Sequence, residues 1–73
     1  MNKALLNSHM AKHSDTQTSL AEAMSLSLSR LNAKINESHG AAFTQTEMTF
    51  IIKRYELSND EACEIFFSQK VAD

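Results

Sequence analysis

The stretch "TQTSLAEAMSLSLSRLNAKIN", residues 16–36, contains two short segments with a helical apolar pattern, separated by a turn rich in serine. In both segments the apolar residues recur at spacings that bring them to one side of a helix. They are Leu20, Ala21 and Met24 in the first segment, and Leu31 and Ile35 in the second. The pattern predicts two short helices, 17–24 and 28–36, joined by the three-residue turn 25–27.

Hydroxyl side chains mark where these two helices begin. Thr16 is the predicted N-cap of the first helix, with Ser14 as the alternative, and Ser27 is the predicted N-cap of the second. Ala21 lies where the two helices would cross most closely, which requires a small side chain. Two short helices joined in this way are typical of a helix-turn-helix, which binds DNA through its second helix. The alternative is a purely structural helix pair.

Three further helices are predicted around this pair, at about 2–13, 45–55 and 59–66. The last two begin at capping boxes, in which a hydroxyl residue is followed three positions later by a glutamate. The boxes are Thr44 with Glu47 and Ser58 with Glu61. The residues predicted to be buried in these three helices are Ala4, Leu5 or Leu6, Met10, Met48, Ile51, Ile52, Tyr55 and Cys63.

The composition supports the same fold class. Of the 73 residues 42% are hydrophobic, with one glycine and no proline, which favours short helices over a sheet. We predict an all-α fold, a compact bundle of about five short helices, forming one domain over 1–73 with the helix-turn-helix at 16–36. One of Phe66 and Phe67 is expected to close the core and the other to be exposed. The last few residues are expected to fray.

The charge is uneven along the chain, although the net charge is only −2. Residues 1–36 carry four cations and two acids, whereas residues 37–73 carry three cations and seven acids. A mildly basic front half suits phosphates. The total charge is nevertheless poor for a protein that binds DNA alone, because phosphate neutralisation supplies much of that affinity. The charge therefore favours a protein partner.

The sequence contains no set of residues that indicates catalysis. It lacks a phosphate-binding loop, and no Ser/His/Asp set or carboxylate pair stands in a plausible context. His9 and His13 have the spacing of a metal-binding pair on a helix, but no convincing third ligand lies near them in sequence. We therefore predict no enzymatic activity, no cofactor, no metal and no small-molecule ligand.

Features that bear on location point to a soluble protein. The single cysteine, Cys63, cannot form an internal disulfide, which fits a reducing compartment. Residues 1–12 lack the continuous apolar run of a signal peptide, and no segment is long and apolar enough to span a bilayer. We expect a cytoplasmic protein with no membrane partner.

Residues 16–36 resemble the helix-turn-helix of small phage repressor and Cro-type regulators, with the pattern T-Q-x-x-L-A-x-x-x-G-[IV]-S-x-x-x-[LI]-x-x-x-[IL]-N. The matching residues are Thr16, Gln17, Leu20, Ala21, Ser27, Leu31, Ile35 and Asn36. The later run "FTQTEMTFIIKRYELSNDEACEIFFSQKVA" is similar to the second half of a subfamily from temperate phages of Gram-positive bacteria. Ser25 replaces the usual turn glycine, and a left-handed conformation there would cost about 1 kcal/mol.

Within this family the chain looks most like the modulator-of-repression proteins, which are antirepressors. The resemblance implies a regulator of the lysis–lysogeny switch in the cytoplasm of the bacterial host. Its implied partner is the phage lysogeny repressor, bound at the repressor's DNA-binding domain so that operator occupancy changes. The alternative implied by the wider family is a Cro-like, dimeric repressor that binds operator DNA in a sequence-specific way.

The second predicted helix carries the candidate binding residues for a protein partner or DNA. They are Leu28, Ser29, Arg30, Asn32, Ala33 and Lys34, all expected on its outer side. Leu28 and Ala33 suit an apolar protein surface better than base edges, where only a thymine methyl would match them. Arg30 and Lys34 suit a phosphate, a guanine edge or an acidic group of a partner. A small rotation of the helix would instead bury Leu28.

Overall fold

Five α-helices follow one another along residues 1–67, the part of the chain that the computed structural model describes. They are α1 (Lys3–Lys12), α2 (Gln17–Ala23), α3 (Leu28–Asn36), α4 (Gln45–Arg54) and α5 (Asn59–Phe66), with one 3-10 turn at Ser38–Gly40. No strand occurs within residues 1–67. The predicted all-α bundle of five short helices is therefore confirmed. The predicted fraying concerns the last few residues, which lie outside the described part.

Each of the five helices begins at a residue whose side chain accepts a backbone hydrogen bond. The five N-caps are Asn2, Thr16, Ser27, Thr44 and Ser58. Thr16, rather than Ser14, caps α2. Both predicted capping boxes are confirmed, because Glu47 and Glu61 each accept a 2.8 Å hydrogen bond from the backbone of their cap residue. These caps explain why the predicted helix starts agree with the structure to within one residue.

The core draws one fully buried aliphatic side chain from every helix. These five residues are Leu6, Leu20, Leu31, Ile51 and Ile65. Met10, Ala21, Ile35 and Tyr55 are also buried and pack into the same cluster. Because each helix contributes a central residue, no helix could be removed without opening the core.

Two residues predicted to be buried are exposed instead. Ala4 lies on the outer side of α1. The buried side of this helix is formed by Leu6 and Met10. Cys63 is exposed because Ala62 and Ile65 occupy the core side of α5, and successive helical residues are turned by about 100°. The prediction that Cys63 fills the core is therefore wrong.

The connection between α1 and α2 is fixed to the end of α4 by hydrogen bonds to Asp15. Arg54 donates to both carboxylate oxygens, at 2.8 and 3.2 Å, and the Tyr55 hydroxyl donates at 2.6 Å. The bonds from Arg54 hold the pKa of Asp15 below its ordinary value. Burial, followed by the neighbouring Asp15, raises the pKa of Tyr55. This cluster anchors the start of α2 on α4.

The connection between α2 and α3 is a tight turn that fixes how α3 begins. Ser25 has φ 58°, which places this serine in the left-handed region that glycine usually occupies. The Leu26 backbone donates a 2.8 Å hydrogen bond to the carbonyl of Ala21, which closes the turn. Because α2 ends at Ala23, the connection is four residues long instead of the predicted three. The two helices pack against each other through buried Leu20, Ala21 and Leu31.

No helix within residues 1–67 combines the length and the apolar character needed to cross a membrane.

Candidate interaction surface on the third helix

The first turn of α3 presents three exposed residues in a row, Leu28, Ser29 and Arg30. The Ser27 side chain fixes the start of the helix by accepting a 3.1 Å hydrogen bond from the Arg30 backbone. Leu28 is 43% exposed even though it precedes the buried Leu31 by three residues, because it is the first residue of the helix. The predicted exposure of Leu28 is thus confirmed.

The predicted binding residues become less exposed after the first turn of α3. Asn32 and Ala33 are both half-buried, so only part of each side chain is accessible. Asn36 donates a 2.9 Å hydrogen bond to the carbonyl of Asn32 and accepts one of 2.8 Å from Lys3. The accessible part of the predicted site is therefore concentrated in the first turn.

Lys34 is the one predicted site residue that the structure withdraws from the surface. It is 9% exposed, and its Nζ donates to Glu47 at 2.8 Å and to the Ala42 carbonyl at 3.4 Å. Its position next to Ile35 brings the aliphatic stem against the core while the ammonium finds a carboxylate, a usual arrangement for lysine. The prediction that Lys34 lies on the outer side of the helix is wrong.

The pair of Lys34 and Glu47 fixes α3 to the first turn of α4. Burial raises the pKa of Glu47, but the hydrogen bonds from Lys34 and Thr44 outweigh that effect and leave the pKa below its ordinary value. The same Glu47 oxygen closes the capping box of α4 and accepts from Lys34. One carboxylate thus supports both the start of α4 and the orientation of α3.

Sequence reasoning missed an exposed aromatic residue close to this surface. Phe50 on α4 is 37% exposed and lines a cleft of about 160 Å³ at the turn before α3. The other lining residues are Ala23, Met24, Ser25, Thr46 and Glu47. The signal was present, because Phe50 falls outside the apolar stripe formed by Met48, Ile51, Ile52 and Tyr55. A large apolar residue off the buried stripe is a candidate for surface contact.

The electrostatics of the α3 surface rest on a single guanidinium. Arg30 is exposed and forms no ion pair within residues 1–67. Lys34 is neutralised by Glu47, and the exposed Lys3 of α1 keeps its charge but is held by Asn36 at the far end of α3, away from Arg30. The surface is an apolar and hydroxyl patch with one cation, which can bury area and form one charge-assisted hydrogen bond.

The two histidines considered as a metal pair are engaged in different contacts. His9 Nε2 lies 3.7 Å from Glu61 Oε2, whereas the ring of His13 lies against that of Tyr55 with centroids 5.3 Å apart. No group of three potential metal ligands comes together within the described residues.

Comparisons of the chain with protein-family models, with curated proteins and with solved structures found no match. The helix-turn-helix assignment of α2 and α3 therefore stays a prediction from the sequence.

Proposed function

We propose that this protein is an antirepressor, which binds the lysogeny repressor of a temperate phage and changes its operator occupancy. The observation that carries the proposal is the composition of the first turn of α3. Leu28 is 43% exposed there and lies beside Arg30. The other predicted cation, Lys34, is buried against α4. Arginine is enriched in protein interfaces, and an exposed leucine beside it adds apolar area that a partner can bury.

The withdrawal of Lys34 weakens the case for DNA binding further. Affinity for duplex DNA depends on several lysine or arginine contacts to phosphates. The outer side of α3 offers only Arg30, and the net charge of the chain is −2. A protein partner needs no such number of cations, because apolar burial supplies the free energy of binding.

Phe50 adds apolar area to this surface. It lines the cleft that also contains Ser25, and Ser25 precedes Leu28 by only three residues. Three residues span at most about 10 Å, so a partner helix that contacts Leu28 can also reach the cleft. Arg30 then forms a charge-assisted hydrogen bond with an acidic side chain of the repressor.

The test is a competition for operator DNA. A fluorescently labelled operator duplex is saturated with the repressor, and this protein is added while anisotropy is recorded. We expect the occupancy to change with the wild-type protein and to change much less with Leu28→Asp, which places an unpaired carboxylate in an apolar contact. Asn7→Asp, which adds the same charge on the exposed side of α1, serves as the control and should act like wild type.

The second candidate function is a Cro-like operator-binding repressor, favoured by the exposure of Ser29 and Arg30. Residues at the start of a recognition helix are the ones that contact base edges. In that case the protein alone binds the duplex selectively at physiological salt. Arg30→Ala then weakens binding and makes it less dependent on salt. Binding by the protein alone that disappears at physiological salt would exclude this alternative.

A further inference from the structure

A second apolar surface lies between α4 and α5, away from the exposed first turn of α3. We call it the α4–α5 patch, formed by Met48, Ile52, Phe66 and Phe67. Phe67 is 65% exposed, the highest value among the exposed large hydrophobic residues of the described part. The patch contains a cavity of about 250 Å³, which Gln45 and Thr49 also line.

The patch continues beyond this cavity. An adjoining cavity of about 200 Å³ shares Met48, Phe66 and Phe67 with the first. The ring of Phe66 is held edge-on against Phe43, with centroids 6.0 Å apart and an angle of 85°. Two neighbouring hollows beside one protruding aromatic ring can accept successive apolar side chains of one partner element.

Acids on the outer side of α5 lead up to Phe67. Asp60 and Glu64 are exposed and one helical turn apart on α5, whereas Glu56 is exposed in the turn before the helix. Glu64 precedes Phe67, the C-cap residue of α5, by three residues, so the acid lies close to the exposed ring at the end of the helix. No cation within residues 1–67 forms an ion pair with these three acids, and that includes Lys53 on α4.

We propose that the α4–α5 patch binds a basic amphipathic helix of a protein partner. The apolar side of that helix covers Phe67 and fills the two cavities, and its lysines or arginines pair with Asp60 and Glu64. Spacing of the apolar side chains at three and four residues matches a helix lying along the patch. Charge complementarity identifies the occupant. The charged groups that line the second cavity are already paired, Lys34 with Glu47 and the Met1 amino group with Glu37, whereas the exposed Asp60 and Glu64 pair with no cation within residues 1–67.

The charges argue against two other occupants. A second copy of this chain, packed with its Phe67 against this Phe67 about a two-fold axis, would bring the two Glu64 side chains toward each other. Nucleic acid would meet the same repulsion from its phosphates. The α4–α5 patch is also distinct from the first turn of α3, because none of residues 28–30 lines its two cavities.

The experiment is a fluorescence anisotropy titration of a labelled 18-residue helical peptide of leucine and lysine, with all leucines on one side. We expect Phe67→Ser to weaken binding by roughly tenfold or more, since it removes an apolar anchor. Glu64→Lys should weaken it by several-fold and reduce its dependence on salt. The matched control is Glu22→Lys, which makes the same charge change on an exposed part of α2 and should bind like wild type.

Peptide variants separate docking from general attraction to an acidic protein. A scrambled peptide of the same composition and a peptide with glutamate in place of lysine should both bind at least tenfold more weakly. Equal binding of the scrambled peptide would overturn the proposal, and so would equal losses in Glu22→Lys and Glu64→Lys. Circular dichroism of each variant shows whether it is folded, and a folded Phe67→Ser with unchanged affinity would also contradict it.

Discussion

The side chain of Lys34 shows that residue type alone can give a wrong prediction of exposure. Its charge and its place near Arg30 predict an exposed binding residue, yet the ammonium lies 2.8 Å from Glu47. Glu47 lies thirteen residues further along the chain, and only the fold brings it next to Lys34. The sequence could not reveal the pairing, because Glu47 already has an apparent role in the capping box.

Replacing Lys34 by alanine should therefore lower the free energy of unfolding of this protein, in addition to any effect on partner binding. The change leaves a half-buried carboxylate without its cation, which typically costs about 1–3 kcal/mol. Urea unfolding followed by circular dichroism measures the loss. Lys53→Ala, an exposed change on α4, should stay within about 0.5 kcal/mol of wild type. Equal effects of the two substitutions would show that Lys34 has no structural role.

Asp15 predicts a dependence of stability on pH. Its pKa is lowered in the folded protein, so its contribution is fully present above the ordinary carboxyl pKa of about 4. That contribution is lost as the pH falls through the lowered value. Asp15→Asn should be less stable than wild type at pH 7, and the difference should shrink toward pH 3. Urea titrations at several pH values test this, and a difference that stays constant with pH would contradict it.

At the scale of elements, the helix boundaries were predictable because local chemistry determines them. Four of the five helices begin at a predicted serine or threonine cap, and α3 and α5 have the predicted bounds. The inward and outward sides were less predictable. Ala4 and Cys63 are small enough to suit either side, and which side is buried depends on neighbouring helices. The exposure of Phe50 on α4 depends on the same long-range packing.

The turn between α2 and α3 offers a test of element geometry. Ser25 has φ 58°, where glycine avoids the strain of a side chain, so Ser25→Gly should stabilise the protein by about 0.5–1 kcal/mol. Ser8→Gly, an exposed change in the middle of α1, should instead lower stability by about 0.5 kcal/mol. Thermal unfolding followed by circular dichroism distinguishes the two. Destabilisation by Ser25→Gly would mean that the serine side chain contributes a contact of its own.

At the scale of the whole molecule, the exposed apolar residues lie on separate helices. Leu28 and Phe50 belong to α3 and α4, and Phe67 lies at the end of α5, where Glu64 precedes it by three residues. The uneven charge was visible in the sequence. The division into a weakly cationic α3 surface and an acid-bordered α4–α5 patch was not, because it requires knowing which charges pair inside the fold.

The measurement that tests the central claim most directly is calorimetric titration of the purified lysogeny repressor with this protein. The account predicts saturable binding by wild type and by Asn7→Asp, and a loss of at least tenfold in affinity for a folded Leu28→Asp. Absence of binding by wild type, or equal affinities for wild type and Leu28→Asp, would contradict the assignment of α3 as the repressor-binding surface.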